Sequence, residues 1–439
     1  MRHRSKPVMP SESTVPAAPA QGDAAALGPG DRVELDVERL AHGGHCVARY
    51  AGRVVFVRHT LPGERVVAQI TGSGKGGRFL RADAVQVLRP APGRVPPPCP
   101  WSGPGRCGGC DFQHVDLAEQ RVLKAGVVVE QFARLAGTDL SEVLGVQVVC
   151  EPVPGDVDGL GWRTRVEFAV DDTGRPGLRR HRSREIVPVD DCLIADRRVI
   201  GSGALGTQHA GAEALDVVAP GTGPVVTVRV PVPPGSSVPT VIEPVQIAGE
   251  DDIVEFGVSA RGFWQVHPGA AELFVSLVLD GLQPRAGESA LDLYAGVGLF
   301  AAALAERVGP QGRVVAVEGD RVAVQLAADN LRHWPQATVQ RDRVDQAVHR
   351  LARAGRHHDL VVLDPPRIGA GRRVLEGVLA CQPRAIAYVA CDPASLARDS
   401  AYLAQSGWLL KRLRVLDAFP MTHHVECVAV FEPVRQTES

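Results

Sequence analysis

LDLYAGVGLF, residues 291–300, runs from an apolar strand through two glycines, Gly296 and Gly298, into a helical stretch. Glycines at a strand-to-helix turn let the backbone come close to a ligand at the helix N-terminus. On both sides of this turn the same rhythm repeats. A helix is expected from about Leu299, a strand at RVVAVE (313–318), a second helix from about Arg321, then apolar strands at LVVLDPP (360–366) and AIAYVAC (385–391). The alternation predicts an α/β domain with a mostly parallel sheet. LKRLRVLDAF (410–419) and VECVAVF (425–431), joined by the short PMTHH turn, are expected to add an antiparallel edge hairpin.

The pattern around the glycines limits the ligand. Glu318 ends RVVAVE twenty residues beyond Gly298, where a carboxylate can accept hydrogen bonds from both ribose hydroxyls. The third glycine of G-x-G-x-x-G and the G-x-x-x-x-G-K-[ST] loop are both missing, which favours S-adenosylmethionine over a dinucleotide or a triphosphate. Asp342 follows the third strand and can reach an adenine edge, although an exposed loop aspartate fits the same place. Asp364 precedes Pro365, Pro366 and Arg367. Two prolines fix φ and make a stiff platform beside the carboxylate, suited to holding a flat base near a reacting methyl group.

In AYVACDPASLARD (387–399), Cys391 stands between a strand end and a helix start, where backbone N–H groups can stabilise a thiolate. The position suits a nucleophile, as it suits a small buried residue closing a strand. Methyl transfer to C5 of uracil needs such a group, because that carbon is not nucleophilic by itself. Addition of a thiolate to C6 creates an enolate with negative charge at C5, and a base must later take the C5 proton. Glu426, in HHVECV, is the candidate base; a surface carboxylate beginning an edge strand is the alternative.

FWQVHP, DLYAGVG, VEGD, DPPR, CDPASLARD and DAFPMTHHVE, in this order, resemble the RNA uridine-5-methyltransferases, enzymes with a class I Rossmann-like methyltransferase domain. The resemblance implies that Cys391 is the nucleophile, that Glu426 accepts the proton, and that Gln265, Tyr294, Glu318 and Asp364 contact the methyl donor. Three residues depart from it. His267 stands where the family usually has Asn, Leu299 where Asn is common after the glycines, and Asp392 where Asn usually follows the nucleophile. Leu299 cannot make the polar contact, and the charge of Asp392 can raise the pKa of the neighbouring thiol.

CPWSGPGRCGGCDFQH supplies Cys99, Cys107 and Cys110, and Cys192 completes a set of four. Spacing alone admits zinc or an iron–sulfur cluster, since both accept four thiolates. The resemblance implies a 4Fe–4S cluster, with a longer gap between Cys99 and Cys107 than the family shows. Cys46, Cys150, Cys381 and Cys427 sit singly among apolar residues and are expected to be core thiols.

From Gly30 to about Leu88, short β-rich runs alternate with turns such as LPGE and GSGKGG, the signature of a small OB-like barrel. AHGGHCVARYAGRVVFVRHTLPGE resembles a TRAM domain, an RNA-binding barrel found on RNA-modifying enzymes. Arg49, Arg53, Arg58 and Lys75 are its candidate phosphate contacts. Between Arg163 and Arg184 lie seven arginines and three acidic residues, read as part of an RNA-contact surface. Arginine outnumbers lysine by 44 to 4 along the chain, so an arginine run carries less weight here than it would elsewhere.

The 439 residues carry a formal charge of −2 and 45% hydrophobic content, enough for two or three cores and no sign of a uniformly basic nucleic-acid binder. No apolar run reaches the roughly 18 residues of a membrane span. Prolines interrupt the alanines of the first 28 residues before a signal-peptide core can form, so a cytoplasmic protein with nine reduced cysteines is expected. The expected organisation is a disordered tail (1–28), a TRAM-like barrel (29–90), a mixed α+β central region with the cysteine cluster (91–255) and a Rossmann-like methyltransferase domain (256–439). The expected reaction is methylation of a uridine at C5 in structured RNA. Barrel and cysteine cluster together resemble enzymes acting on large-subunit (23S) ribosomal RNA; transfer RNA is the alternative substrate. A non-catalytic RNA-binding protein and an amino-methyltransferase are the rival readings; the intact Cys391 and Glu426 weigh against the first, and activity that survives Cys391→Ala would favour the second.

Overall fold

The computed structural model describes residues 27–247 and 253–434. Nearly all of the expected N-terminal tail therefore lies outside the described residues. The described residues form two compact units, one holding 27–39 and His45–Pro92, the other holding Leu40–Gly44 and the described residues from Gly93 onward.

In the first unit, β1 (Arg32–Ala41), β2 (His45–Tyr50), β3 (Arg53–Arg58), β4 (Arg65–Ser73) and β5 (Phe79–Arg89) close into a barrel in the order β1-β2-β3-β5-β4. Strict alternation along β1 turns Val33, Leu35 and Val37 inward. The turn before β4 is held by buried Glu64, which accepts hydrogen bonds from Thr60 Oγ1 and the Leu61 N–H, both at 2.9 Å. Of the expected phosphate contacts, Arg49 is exposed and pairs with Glu38 at 3.4 Å. Arg53 donates to the Gly77 carbonyl at 2.6 Å. Arg58 is only 7% exposed, which turns it from a surface contact into part of the barrel wall.

The second unit begins with α1 (Leu117–Ala136), α2 (Leu140–Leu144) and β6 (Cys150–Pro152). Asp116 caps α1 by accepting from the Ala118 and Glu119 N–H groups, and Gly137, at φ +62°, ends it in the left-handed conformation that favours glycine. β7 (Arg165–Val170), β8 (Pro176–Arg179), β9 (Ile186–Pro188), α3 (Arg197–Gly201), β10 (Ala214–Val218) and β11 (Val226–Val230) follow. Their strands form a sheet in the order β11-β10-β7-β8-β9. β12 (Thr240–Gln246) and β13 (Ile253–Ser259) make a separate antiparallel pair.

The remaining elements alternate: α4 (Ala270–Leu282), β14 (Ser289–Leu293), α5 (Leu299–Val308), β15 (Arg313–Glu318), α6 (Arg321–Asn330), β16 (Ala337–Arg341), α7 (Val344–Arg353), β17 (Leu360–Leu363), α8 (Gly371–Ala380), β18 (Ala385–Ala390), α9 (Pro393–Gln405), β19 (Trp408–Asp417) and β20 (Glu426–Pro433). The sheet order is β16-β15-β14-β17-β18-β20-β19-β6. β14 to β18 pair in parallel; β14, β15, β17 and β18 are largely buried apolar runs while the outer strand β16 is partly exposed, and β20 runs antiparallel to both of its neighbours. The expected edge hairpin is thus not at the edge. β20 is inserted between β18 and β19, and β6 covers β19 in parallel. α1 joins the same core, with Val128 and Phe132 in one apolar cluster with Leu291, Tyr388 and Phe431.

Candidate active site

The chain leaves β14 outward to β15 and β16, then returns to β17 and β18 on the other side. The strand order therefore reverses between β14 and β17, and ligands of open α/β sheets bind at the carboxyl ends of such a pair. Tyr294, Gly296 and Gly298 follow β14, Glu318 ends β15, Asp342 follows β16, Asp364 follows β17 and Cys391 follows β18. Because β20 is antiparallel, its first residue, Glu426, starts at this same edge. The register pairs Ala390 with Cys427, so Cys391 and Glu426 are the next pair along.

The glycine turn is built from backbone. Tyr294, Gly296 and Gly298 have φ of +65°, +54° and +91°. A Cβ at Gly298 would stand 3.3 Å from Leu331, whereas nothing lies within 4 Å of one at Gly296, leaving open space above that peptide. Glu318 spans the turn: its Oε2 accepts from the Gly296 N–H at 2.9 Å, and its Oε1 accepts from the Gly319 and Asp320 N–H groups at 2.6 and 2.8 Å. Asp292, fully buried beneath the turn, accepts from the Ala301 N–H at 2.8 Å through Oδ2, while its Oδ1 has no hydrogen-bond partner. Burial pushes its pKa up to about 8. An open glycine cradle, a carboxylate at the next strand end and an orphaned buried oxygen fit a ligand with amino and hydroxyl donors, as S-adenosylmethionine has.

Leu299, one of the departures, is 7% exposed and packs in the apolar core under α5, where a polar side chain would lose its solvent. The Asp342 carboxylate pairs with Arg350, which holds it below the usual range, and its N–H donates to the Glu318 carbonyl at 3.0 Å. Gln265 is buried on the segment before α4, and among the described residues no hydrogen bond joins it to the glycine turn. His267 beside it is 3% exposed and stacks on Trp162, with ring centroids 6.2 Å apart. Burial lowers its pKa.

The second half of the site is a cavity of about 80 Å³ with Arg367, Cys391, Asp392, His423, His424 and Val425 on its walls. Burial, then the carboxyl groups of Glu426 and Asp364, push the Cys391 thiol up to about 12, against the opposing pull of Arg367. Glu426 is 5% exposed, and burial with the charge of Asp364 drives it well above the usual carboxylate range. Asp364 itself is pushed by burial to about 7. Asp392 accepts from the Ser395 N–H at 2.7 Å and so caps α9, a role Asn would also fill. His424 is held neutral by burial and by the charges of His423 and Arg367, with a pKa near about 3, so its Nε2 can accept from the Arg367 guanidinium at 3.4 Å.

The loop after Asp364 is fixed by a group that the sequence pattern did not single out. Tyr388 donates to Asp399 at 2.6 Å, and Asp399 Oδ2 accepts from the Ala370 and Gly371 N–H groups at 2.9 and 3.1 Å. The signal was present: Leu396, Asp399, Ser400 and Leu403 lie on one buried helical stripe, and a carboxylate on such a stripe calls for partners.

Cys99, Cys107, Cys110 and Cys192 line one cavity of about 40 Å³, together with apolar residues such as Val166 and Ile194. Burial raises all four thiols, Cys107 to about 11, and other sulfurs of the set raise Cys107, Cys110 and Cys192 further. Arg163 lines the same cavity and opposes the shift at Cys107 and Cys192. Among the described residues, no three His, Cys, Asp or Glu side chains are drawn together as ligands of a single metal ion. In the arginine run, Arg165 is bound to Glu243 at 2.9 Å, while Arg175, Arg179, Arg182 and Arg184 are exposed.

Comparison with known proteins agrees with this geometry. The TRAM domain family matches residues 28–85 and the tRNA (Uracil-5-)-methyltransferase family residues 241–433. The 23S rRNA (uracil(1939)-C(5))-methyltransferase RlmD of Chromohalobacter salexigens is 34% identical over 438 residues, covering 89% of this chain and 87% of that protein. The chain belongs to the RNA (uracil-5-)-methyltransferase family. It is an S-adenosylmethionine-dependent RNA methyltransferase with a TRAM barrel near its N-terminus. An uncharacterized RNA methyltransferase of Streptomyces coelicolor is 47% identical, with 92% of this chain and 93% of the relative covered. The fold is that of the tRNA (uracil-54, C5)-methyltransferase of Pyrococcus abyssi, solved with S-adenosyl-L-homocysteine. That structure has a TM-score of 0.65 and 22% identity, with 90% of this chain and all of that one covered. Among the described residues, no helix is long and apolar enough to cross a membrane.

Proposed function

We propose that this methyltransferase transfers a methyl group to C5 of a uridine in large-subunit ribosomal RNA, with Cys391 as nucleophile and Glu426 as base. The observation that carries the reading is the β18–β20 register, in which Cys391 and Glu426 are consecutive with the pair Ala390–Cys427. One aromatic face can then meet the thiol while its C5 hydrogen is within reach of the carboxylate.

The steps balance as follows. The Cys391 thiol loses its proton to solvent, and the thiolate forms a bond to C6, sending the C5=C6 π pair to C5 and the conjugated carbonyl. C5 attacks the sulfonium methyl of S-adenosylmethionine; the C5–CH3 bond forms and S-adenosylhomocysteine leaves. Glu426 takes the C5 proton, the C5=C6 bond re-forms, and the thiolate is expelled. Arg367 favours both anions, since its charge lowers Cys391 and Glu426. Gly296 and Gly298 admit the donor, Glu318 takes its ribose hydroxyls, and Gln265, Tyr294, Asp342 and Asp364 complete its surroundings. Donor binding requires Glu318 to share lone pairs already used by backbone N–H groups.

The four cysteines would hold a 4Fe–4S cluster. The one cavity that all four cysteines line supports this reading. When bound, the cluster supplies positive charge that offsets four buried thiolates. The exposed arginines between Arg175 and Arg184 and the TRAM barrel would take RNA phosphates; relatives at this identity named for 23S rRNA favour ribosomal RNA, and with that substrate the enzyme would work in the cytoplasm.

The test is trapping with 23S ribosomal RNA carrying 5-fluorouridine in the presence of S-adenosylmethionine. Fluorine at C5 cannot leave as a proton, so a methylated adduct mapped by mass spectrometry to Cys391, absent in Cys391→Ala, is expected. Methyl transfer without an adduct would point to amino-methylation; an adduct with transfer RNA alone would reassign the substrate.

A further inference from the structure

The turn that delivers Glu426 is not shaped by its own strands. Between β19 and β20 the chain passes through Pro420, Met421, Thr422 and His423, and Met421 adopts φ +64°, a conformation unfavourable for a side chain of its size. Its carbonyl accepts two hydrogen bonds from one distant segment, the Asp111 N–H at 3.0 Å and the Phe112 N–H at 2.9 Å. Its N–H donates to Gln120 Oε1 on α1 at 2.9 Å. Two residues on, the Asp111 carboxylate accepts from the His423 N–H at 3.2 Å and from His423 Nδ1 at 2.6 Å. A carboxylate opposite Nδ1 requires that nitrogen to carry the hydrogen. Residues that hold the turn thus come from the peptide immediately after Cys110 and from α1, some 300 to 310 positions earlier in the chain.

We propose that Asp111 is a positioning residue for the proton-removing step: by clamping His423 it sets the turn and hence Glu426, three residues on. This rests on the reading of Glu426 as the base. The Asp111 hydrogen bonds described above all go to the turn, so its loss acts first on the step that Glu426 performs. Loss of the clamp lets Glu426 drift from C5 after the methyl has been transferred, leaving a methylated uridine still joined to Cys391.

Full-length variants are incubated with unmodified RNA and S-adenosylmethionine, and product is measured alongside the fraction of enzyme joined to RNA. Glu426→Gln is the control and should accumulate adduct. Asp111→Ala should lose at least tenfold in turnover while accumulating the same methylated adduct. Asp111→Asn retains an oxygen acceptor and should recover turnover to within about threefold of the parent. His423→Phe cuts the clamp from its other end and carries the same test if Asp111→Ala does not fold. Turnover lost without adduct in the Asp111 and His423 variants, while Glu426→Gln accumulates it, would overturn the inference and reduce Asp111 to a structural residue. Unchanged turnover in both would overturn it too. Absence of adduct in Glu426→Gln would remove the base itself, and this inference with it.

Discussion

The two halves of the site are made in different ways. The donor half, from β14 to the end of β15, is a local construction. Two glycines with positive φ and one carboxylate on the next strand use mainly backbone N–H groups separated by no more than 22 positions. The acceptor half joins Cys391 on β18 to Glu426 on β20 through strand register, and its turn is held by Asp111, Gln120 and Lys124, about 300 positions away. A ligand cradle can be specified by dihedral angles, whereas a nucleophile and a base that act on one ring from two distant segments need a sheet to bring them together. The donor half should therefore tolerate local change with a loss of affinity, and the acceptor half should fail in discrete chemical steps.

The largest expected effect breaks the acceptor half alone. Cys391→Ala should abolish turnover, by at least ~10³-fold, since no other thiol among the described residues lines the cavity. Donor binding by calorimetry should stay within about twofold, because none of the donor-half hydrogen bonds involves Cys391; a joint loss would mean that the halves are not separable. Next, Glu426→Gln should lower turnover by about 10²–10⁴-fold, the usual span for a positioned base, and methyl incorporation into adduct should exceed release of free product.

The raised thiol gives a pH test. With a pKa of about 12, Cys391 of the free enzyme is almost wholly protonated at neutral pH, so thiolate increases with pH. Its alkylation by iodoacetamide, followed by peptide mapping, should quicken about tenfold per unit between about pH 7 and 10, whereas an unperturbed thiol levels off near its pKa of about 8.5. A plateau below about pH 9 would show the thiol to be less suppressed than its surroundings of Glu426 and Asp364 require.

On the donor side, Glu318→Gln should weaken S-adenosylmethionine binding by about tenfold, as one charged hydrogen-bonding group is replaced by a neutral one, while turnover at saturating donor changes little. Smaller still, Tyr388→Phe leaves the Ala370 and Gly371 N–H groups on Asp399 and removes the two hydrogen bonds of the hydroxyl, the one it donates to Asp399 and the one it accepts from the Ala370 N–H. It should cost about 1 kcal/mol in chemical denaturation and leave donor affinity unchanged.

The same contrast governs what could be read from the amino acids alone. The glycine turn, the Glu318 strand end and the strand–Cys391–helix junction rest on short-range periodicity, so their place at the sheet edge was legible. Family resemblance supplied the partner Glu426; periodicity alone left it on an edge strand. The hairpin was expected at the sheet edge because β6, three residues long, has no pattern of its own and gains its place only by pairing with Val415, Leu416 and Asp417. Arg58 read as surface charge until the barrel closed around it. Asp111 was hidden for the opposite reason. An aspartate beside a cysteine motif reads as solvated charge, and nothing within its own segment announces His423.

The central claim, that a thiol adds to C6 so that C5 exchanges its hydrogen for a methyl group, is tested most directly by RNA bearing uridine tritiated at C5. Tritium released to water and methyl groups incorporated are counted in the same reaction. The account predicts one tritium released per methyl transferred, with both lost in Cys391→Ala. Methyl incorporation with the tritium retained on the ring would contradict it.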